Sequence, residues 1–334
     1  MKRRASPRKP TPSHDHDHTH GVTDPVILST ERGIRAVKWS LLALLVTGAI
    51  QVAVVLLSGS VALLADTIHN FGDAFTAVPL WIAFRLGRRE PTRRFTYGLG
   101  RLEDLAGVAI VIIILGSAAF AAYESVNRIL NPRDLSNLWV VALAAVVGFA
   151  GNEAVAIFRI RVGKEIGSAA LVADGYHARV DGLTSLAVLA GAIGVWLGFP
   201  LADPIVGLVI TAAILRIVWQ SGKAVFTRLL DGVDPEVTGE IAHAVSHVTG
   251  VREVTGVRVR WLGHRLHAEL NLSVRADLSV EEGHDIAVEA RHQLLHHLKY
   301  LSDATIHVDP EHASGGEYHC IGGHEHDDYP LHSH

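Results

Sequence analysis

Two segments of this 334-residue chain, ADTIHNFGDA at 65–74 and ADGYHARVDG at 173–182, share the pattern A-D-x-x-H-x-x-x-D. On a helix, residues four apart lie on one face. His69 and Asp73 therefore point the same way, and so do His177 and Asp181. Two such helices packed face to face would present two imidazoles and two carboxylates. Two nitrogens and two oxygens suit a tetrahedral Zn2+. The two negative charges would offset a dication in a low-dielectric setting. The competing reading is an internal His–Asp hydrogen bond within each helix. Asp66 and Asp174 lie one turn earlier on the same face. They are candidates to orient the histidines, to touch the metal or to join helices.

The elements that carry these segments are apolar. The chain is 49% hydrophobic and 19% charged, with a mean hydropathy of +0.27. Soluble proteins carry about 25% charged residues. Six runs are near the ~20 residues that cross a bilayer: 39–58, 61–84, 105–127, 136–158, 168–194 and 199–219. The second run holds Asp66, His69 and Asp73, the fourth Asn152 and Glu153, and the fifth Asp174, His177, Arg179 and Asp181. A charge at mid-bilayer costs roughly 2.5–3.5 kcal/mol. These three spans are therefore expected to face a bundle interior or a water-filled cavity. Because both motif copies bear that cost, metal or proton handling outweighs simple internal pairing.

Loop charges set the orientation. Lys and Arg crowd the N-terminal segment, the second–third loop from Arg85 to Arg101, the fourth–fifth loop with Arg159, Arg161 and Lys164, and the region after span six. The positive-inside rule places both termini and the even-numbered loops in the cytoplasm. The N-terminus is too polar for a secretory signal. The formal net charge of −4 gives no reason to expect nucleic acid as a partner. One cysteine, Cys320, excludes an internal disulfide framework.

After the last span the pattern changes. PEVTGEIAHAVSHVTG at 235–250 has helical periodicity. Residues 257–261 alternate, as do 266–274, with Gly263 in the turn between them. Ser279 with Glu281 and Glu282 opens a second helix, and ATIHVDP at 304–310 reads as a last strand. The expected fold is an α-helical membrane protein with six transmembrane helices, followed by a small cytoplasmic α+β domain of order αββαβ. The expected divisions are 1–33 as a His/Asp-rich disordered tail, 34–222 as the membrane domain, 223–310 as the cytoplasmic domain and 311–334 as a His-rich tail. The 21 histidines then divide into four in the N-terminal tail, two in the membrane, nine in the cytoplasmic domain and six in the C-terminal tail. Alternating His and Asp in such tails can capture cytosolic metal.

The paired motifs, with YGLGRLE (97–103), SAALVADGYH (168–177) and ADP (202–204), resemble the cation diffusion facilitator family, and its zinc-transporting bacterial members most. The resemblance covers about residues 35–310. It implies metal efflux by proton antiport, a ferredoxin-like cytoplasmic domain and a homodimer. It also implies a transport site of His69, Asp73, His177 and Asp181. Pairing His with Asp on both spans resembles zinc-selective members, and softness points the same way, since imidazole suits zinc and all-oxygen sites suit manganese. The loop site that some members carry near the YG…E segment is not expected, because RREPTRRFTYGLGRLED has no histidine. The cytoplasmic regulatory positions fall on His284, His307 and Asp309, with His264 or His267 as candidate helpers and Asn271 where a further His ligand would stand. A binuclear site is therefore not expected, and a reduced site competes with a plain polar strand face and helix surface. His292, His296 and His297 read as solvent-facing helix residues.

The resulting expectation is alternating access. Deprotonated ligands take Zn2+ from the cytosol, and protons displace it on the far side. His69 and His177 are the natural proton carriers. The bacterial inner membrane fits the richness in Ala, Val, Arg and Gly. A membrane metalloenzyme is disfavoured: no HExxH occurs, and four protein ligands leave no open position for a reactive water. A passive metal channel, or a metal sensor without transport, is the alternative.

Overall fold

The computed structural model describes residues 25–58, 77–130, 138–199 and 201–313. Among the described residues, six helices come first: α1 (Pro25–Ser58), α2 (Ala77–Gly87), α3 (Arg101–Leu130), α4 (Leu138–Ile166), α5 (Ala169–Trp196) and α6 (Ala202–Leu229). All but α2 are long and apolar enough to span a bilayer. They carry the expected first, third, fourth, fifth and sixth spans. Of the expected second span, only the part within α2 falls among the described residues. His69 and Asp73 lie outside them.

Two expected domain edges fall inside helices. The 33/34 division lies within α1, which begins at Pro25, and the 222/223 division lies within α6, which runs to Leu229. With 34 residues, α1 is ~51 Å long, well over the ~30 Å of a hydrocarbon core. Its polar first turns therefore extend beyond the apolar layer. Large apolar side chains on the outer faces of the bundle, such as Ile112, Phe120, Trp139, Val209 and Trp219, are exposed, as lipid-facing positions must be.

The packing of α4 on α5 positions the motif helix. A methyl at Gly163 would stand 2.9 Å from the Val172 backbone nitrogen, and one at Gly175 would stand 2.9 Å from that of Ile160. Only glycine permits so close an approach. The two helices form an antiparallel pair around the Gly167–Ser168 turn, where Gly167 has φ 75° and Ser168 caps α5 by accepting from the Leu171 N–H. Helix α1 also packs on α4.

The C-terminal part is α7 (Pro235–Ser246), β1 (Glu253–Leu262), β2 (Arg265–Val274), α8 (Val280–His297) and β3 (Leu301–Pro310). This is the expected αββαβ order. The sheet runs β1-β2-β3, antiparallel between β1 and β2 and parallel between β2 and β3. Parallel neighbours need a crossover, which α8 supplies. Leu266, Ala268, Leu270, Leu272 and Val274 are all buried, as their alternation requires. The first four pack with Ile241 and Val245 of α7 and Ala290 and Leu294 of α8. Helix α8 begins in a capping box between Ser279 and Glu282.

The two domains meet where the β1–β2 turn reaches the first turn of α3. Gly263, at φ 64°, donates its N–H to Asp104 Oδ2 at 3.1 Å. His264 Nδ1 lies 2.6 Å from Glu103 Oε2, and its Nε2 lies 3.0 Å from Thr30 Oγ1 of α1. The imidazole also packs on the Phe84 ring of α2, at 5.7 Å between centroids. Tyr300 adds a hydrogen bond from its hydroxyl to the Lys164 carbonyl, and Arg228 lies over the Trp261 ring.

Candidate metal centre

Helix α5 places His177 and Asp181 on one buried face, with 1% and 7% of their surfaces exposed. Their Nδ1 and Oδ1 atoms are 3.8 Å apart. That is too long for a hydrogen bond between them, so the internal His–Asp bond does not form here. Two donors about 2.1 Å from one tetrahedral zinc stand roughly 3.4 Å apart. The observed spacing is close to that, so the pair fits a shared metal as cargo. The Asp181 carbonyl accepts from the hydroxyls of Thr184 and Ser185, at 2.8 and 3.2 Å. Of the four expected transport ligands, the described residues thus bring together the two from α5.

Two further charge pairs join α4 and α5. Arg179 grips Glu153 with two hydrogen bonds, at 3.1 and 2.6 Å. Arg159 Nη1 lies 3.0 Å from Asp174 Oδ2, with both side chains almost wholly buried. Asp174 is therefore held by a guanidinium rather than turned toward a metal. Arg159 reads in sequence as a cytoplasmic loop charge. The structure places it within α4, buried, so it is not one of the loop cations that orient the chain. A signal for both pairs was available: Glu153 with Arg179 and Arg159 with Asp174 are placed nearly symmetrically about the α4–α5 turn. In an antiparallel helix pair, residues so placed meet.

The cytoplasmic candidates divide. His307 Nε2 lies 2.8 Å from Asp309 Oδ1 on β3, and Asn271 pairs with His307 across the sheet. His284 is exposed on α8. Among the described residues, no group of three or more His, Cys, Asp or Glu side chains is placed to hold a metal ion. His264 belongs to the domain contact described above. His267 bonds Ser302 Oγ at 3.1 Å, and burial pushes its imidazole below the ordinary histidine value. His292, His296 and His297 are exposed on α8 as expected, with the first two rings edge-to-face.

Two family models match in succession: the cation efflux transmembrane domain over residues 37–230, and the cation efflux protein cytoplasmic domain over residues 233–311. A probable cation efflux system protein of Mycobacterium tuberculosis is 56% identical over 302 residues, covering 90% of this chain and 91% of the relative. The magnetosome protein MamB of Magnetospira is 28% identical, over 76% of this chain and 87% of its own. The manganese efflux system protein MneS of Bacillus subtilis is 27% identical, over 81% of this chain and 93% of its own. The two domain matches, the apolar helices and the 56% identical relative converge. The chain belongs to the cation efflux, or cation diffusion facilitator, family, and it is an integral membrane transporter of divalent metal cations rather than an enzyme.

Proposed function

We propose that this transporter exports Zn2+ from the cytosol in exchange for protons, by alternating access through one site of His69, Asp73, His177 and Asp181. The observation that carries this reading is the buried His177–Asp181 pair inside a membrane helix, at a spacing that suits two ligands of one metal. The repeat of the same motif at His69 and Asp73 supplies the complementary pair. Two imidazoles favour zinc over the harder manganese ion. Histidine ordinarily titrates near pH 6.5. The same groups can therefore bind metal when neutral and release it when protonated.

The surrounding reading follows from charge and family. An even span count with Lys- and Arg-rich even-numbered loops supports both termini in the cytoplasm of a bacterial cell, with the protein in the inner membrane as a homodimer. For a regulatory Zn2+ on the cytoplasmic domain, the His307–Asp309 contact supports a two-residue site, with which His284 is not grouped. The His-rich tails collect metal near the cytosolic mouth.

A passive channel is the second reading, and a flux assay separates the two. Zinc uptake into proteoliposomes is measured with and without an imposed pH gradient, with Mn2+, Cd2+, Co2+ and Ni2+ as competitors. An antiporter moves zinc against its own gradient when protons run the other way, and it acidifies the side that zinc leaves. Zinc flux that ignores the pH gradient would instead identify a channel.

A further inference from the structure

The Arg159–Asp174 pair stands one turn from the proposed site and has no part in it so far. Asp174 precedes His177 by three residues, on the same face of α5. Its side chain is fully buried, and that of Arg159 is 1% exposed. Arg159 also donates from Nε to Ser40 Oγ of α1 at 2.7 Å, and Ser40 in turn donates to the Val37 carbonyl. One guanidinium thus joins α1, α4 and α5. Gly175 fixes the arrangement, because a methyl there would stand 3.1 Å from Arg159 Cβ.

Stability does not account for this pair. A buried ion pair gains little over apolar side chains of the same volume, and often loses to them. Here the satisfaction is incomplete as well. Among the described residues, Arg159 Nη2 and Asp174 Oδ1 have no hydrogen-bond partner. Both charges are nevertheless present beside a site that handles a dication. Arginine stays charged under all conditions a cell meets. A carboxylate held by it is repelled from sharing a divalent metal, because the guanidinium would come with it.

We propose that Arg159 is a positioning residue for selectivity: it holds Asp174 out of the metal's ligand set, so that α5 contributes one nitrogen and one oxygen rather than one nitrogen and two oxygens. This rests on reading His177 and Asp181 as transport ligands. Releasing Asp174 adds a hard oxygen donor to the site, which shifts its preference from zinc toward manganese.

The test uses the full chain in proteoliposomes and reads the ratio of Zn2+ to Mn2+ transport. Arg159→Gln lowers that ratio about tenfold or more, the size typical of changes just behind a metal's ligands. Arg159→Lys, which keeps a positive charge, stays near the wild-type ratio. Arg159→Gln with Asp174→Asn has no carboxylate to release, so it returns to the wild-type ratio. An unshifted ratio in Arg159→Gln overturns the proposal, as does an equal shift in the double variant. Where Arg159→Gln does not fold, Arg159→Met is measured in its place: a lowered ratio supports the proposal and an unshifted one overturns it. His177→Ala is run alongside. Retained zinc transport there overturns the site reading itself, whereas lost transport with an unshifted Arg159→Gln ratio overturns only the role of Arg159.

Discussion

At the scale of residues, the histidines of this chain separate by environment more than by number. His177 is sealed in a membrane helix, His264 is locked between domains, His307 sits on a strand beside Asp309, and His267 bonds a serine at the sheet edge. His267 gives a pH prediction for the cytoplasmic domain. Burial lowers its folded value below the ~6.5 of the unfolded chain, so between the two values the unfolded state binds more protons. The stability from keeping it neutral is fully present above about pH 6.5 and falls as pH drops below it. His267→Asn removes that dependence. The difference in melting temperature between wild type and His267→Asn should therefore move in favour of the variant from pH 7.5 to pH 5.5. A difference that stays constant would show that burial does not lower the His267 value in the folded protein.

At the scale of elements, the α4–α5 pair is the part of the bundle that most directly holds the site. Gly175→Val drives a side chain against the Ile160 backbone nitrogen, which cannot give way as a flexible side chain would. Such overpacking costs about 1–3 kcal/mol and moves α5 relative to α4. The expected outcome is a lower melting temperature and zinc transport reduced several-fold. Gly116→Ala on α3, with nothing within 4 Å of the added methyl, should leave both unchanged. These helices and the αββαβ order were legible in the sequence because their signals are local: apolar length for the spans, alternation at 266–274 and the Ser279 cap for the cytoplasmic domain. Arg159 misled because loop charge is judged from sequence neighbours, whereas its partner Asp174 sits across a helix turn. The first turns of α1 were also hidden. Residues 25–33 are polar enough to resemble a tail, yet they form a helix that meets the cytoplasmic domain through Thr30.

At the scale of the whole molecule, the two domains are connected through a buried His–carboxylate contact rather than through a linker alone. His264→Ala leaves the Glu103 carboxylate buried without its imidazole, which costs about 3–5 kcal/mol at that contact. The expected readout is faster amide exchange at Gly263 and at position 264, whose backbone N–H groups donate to Asp104 and Glu103, with exchange in the β2 core unchanged. Unaltered exchange at the turn would show that the other contacts hold the domains by themselves. Nothing in the sequence marked this contact, because His264 and Thr30 are 234 residues apart. Above these contacts stands the claim that two motif copies, 108 residues apart, make one transport site. It is tested most directly by zinc transport under an imposed pH gradient in proteoliposomes of wild type, His69→Ala and His177→Ala at matched protein content. Each substitution alone should reduce zinc flux and the accompanying proton movement to background. Transport that survives either substitution would contradict a single shared site.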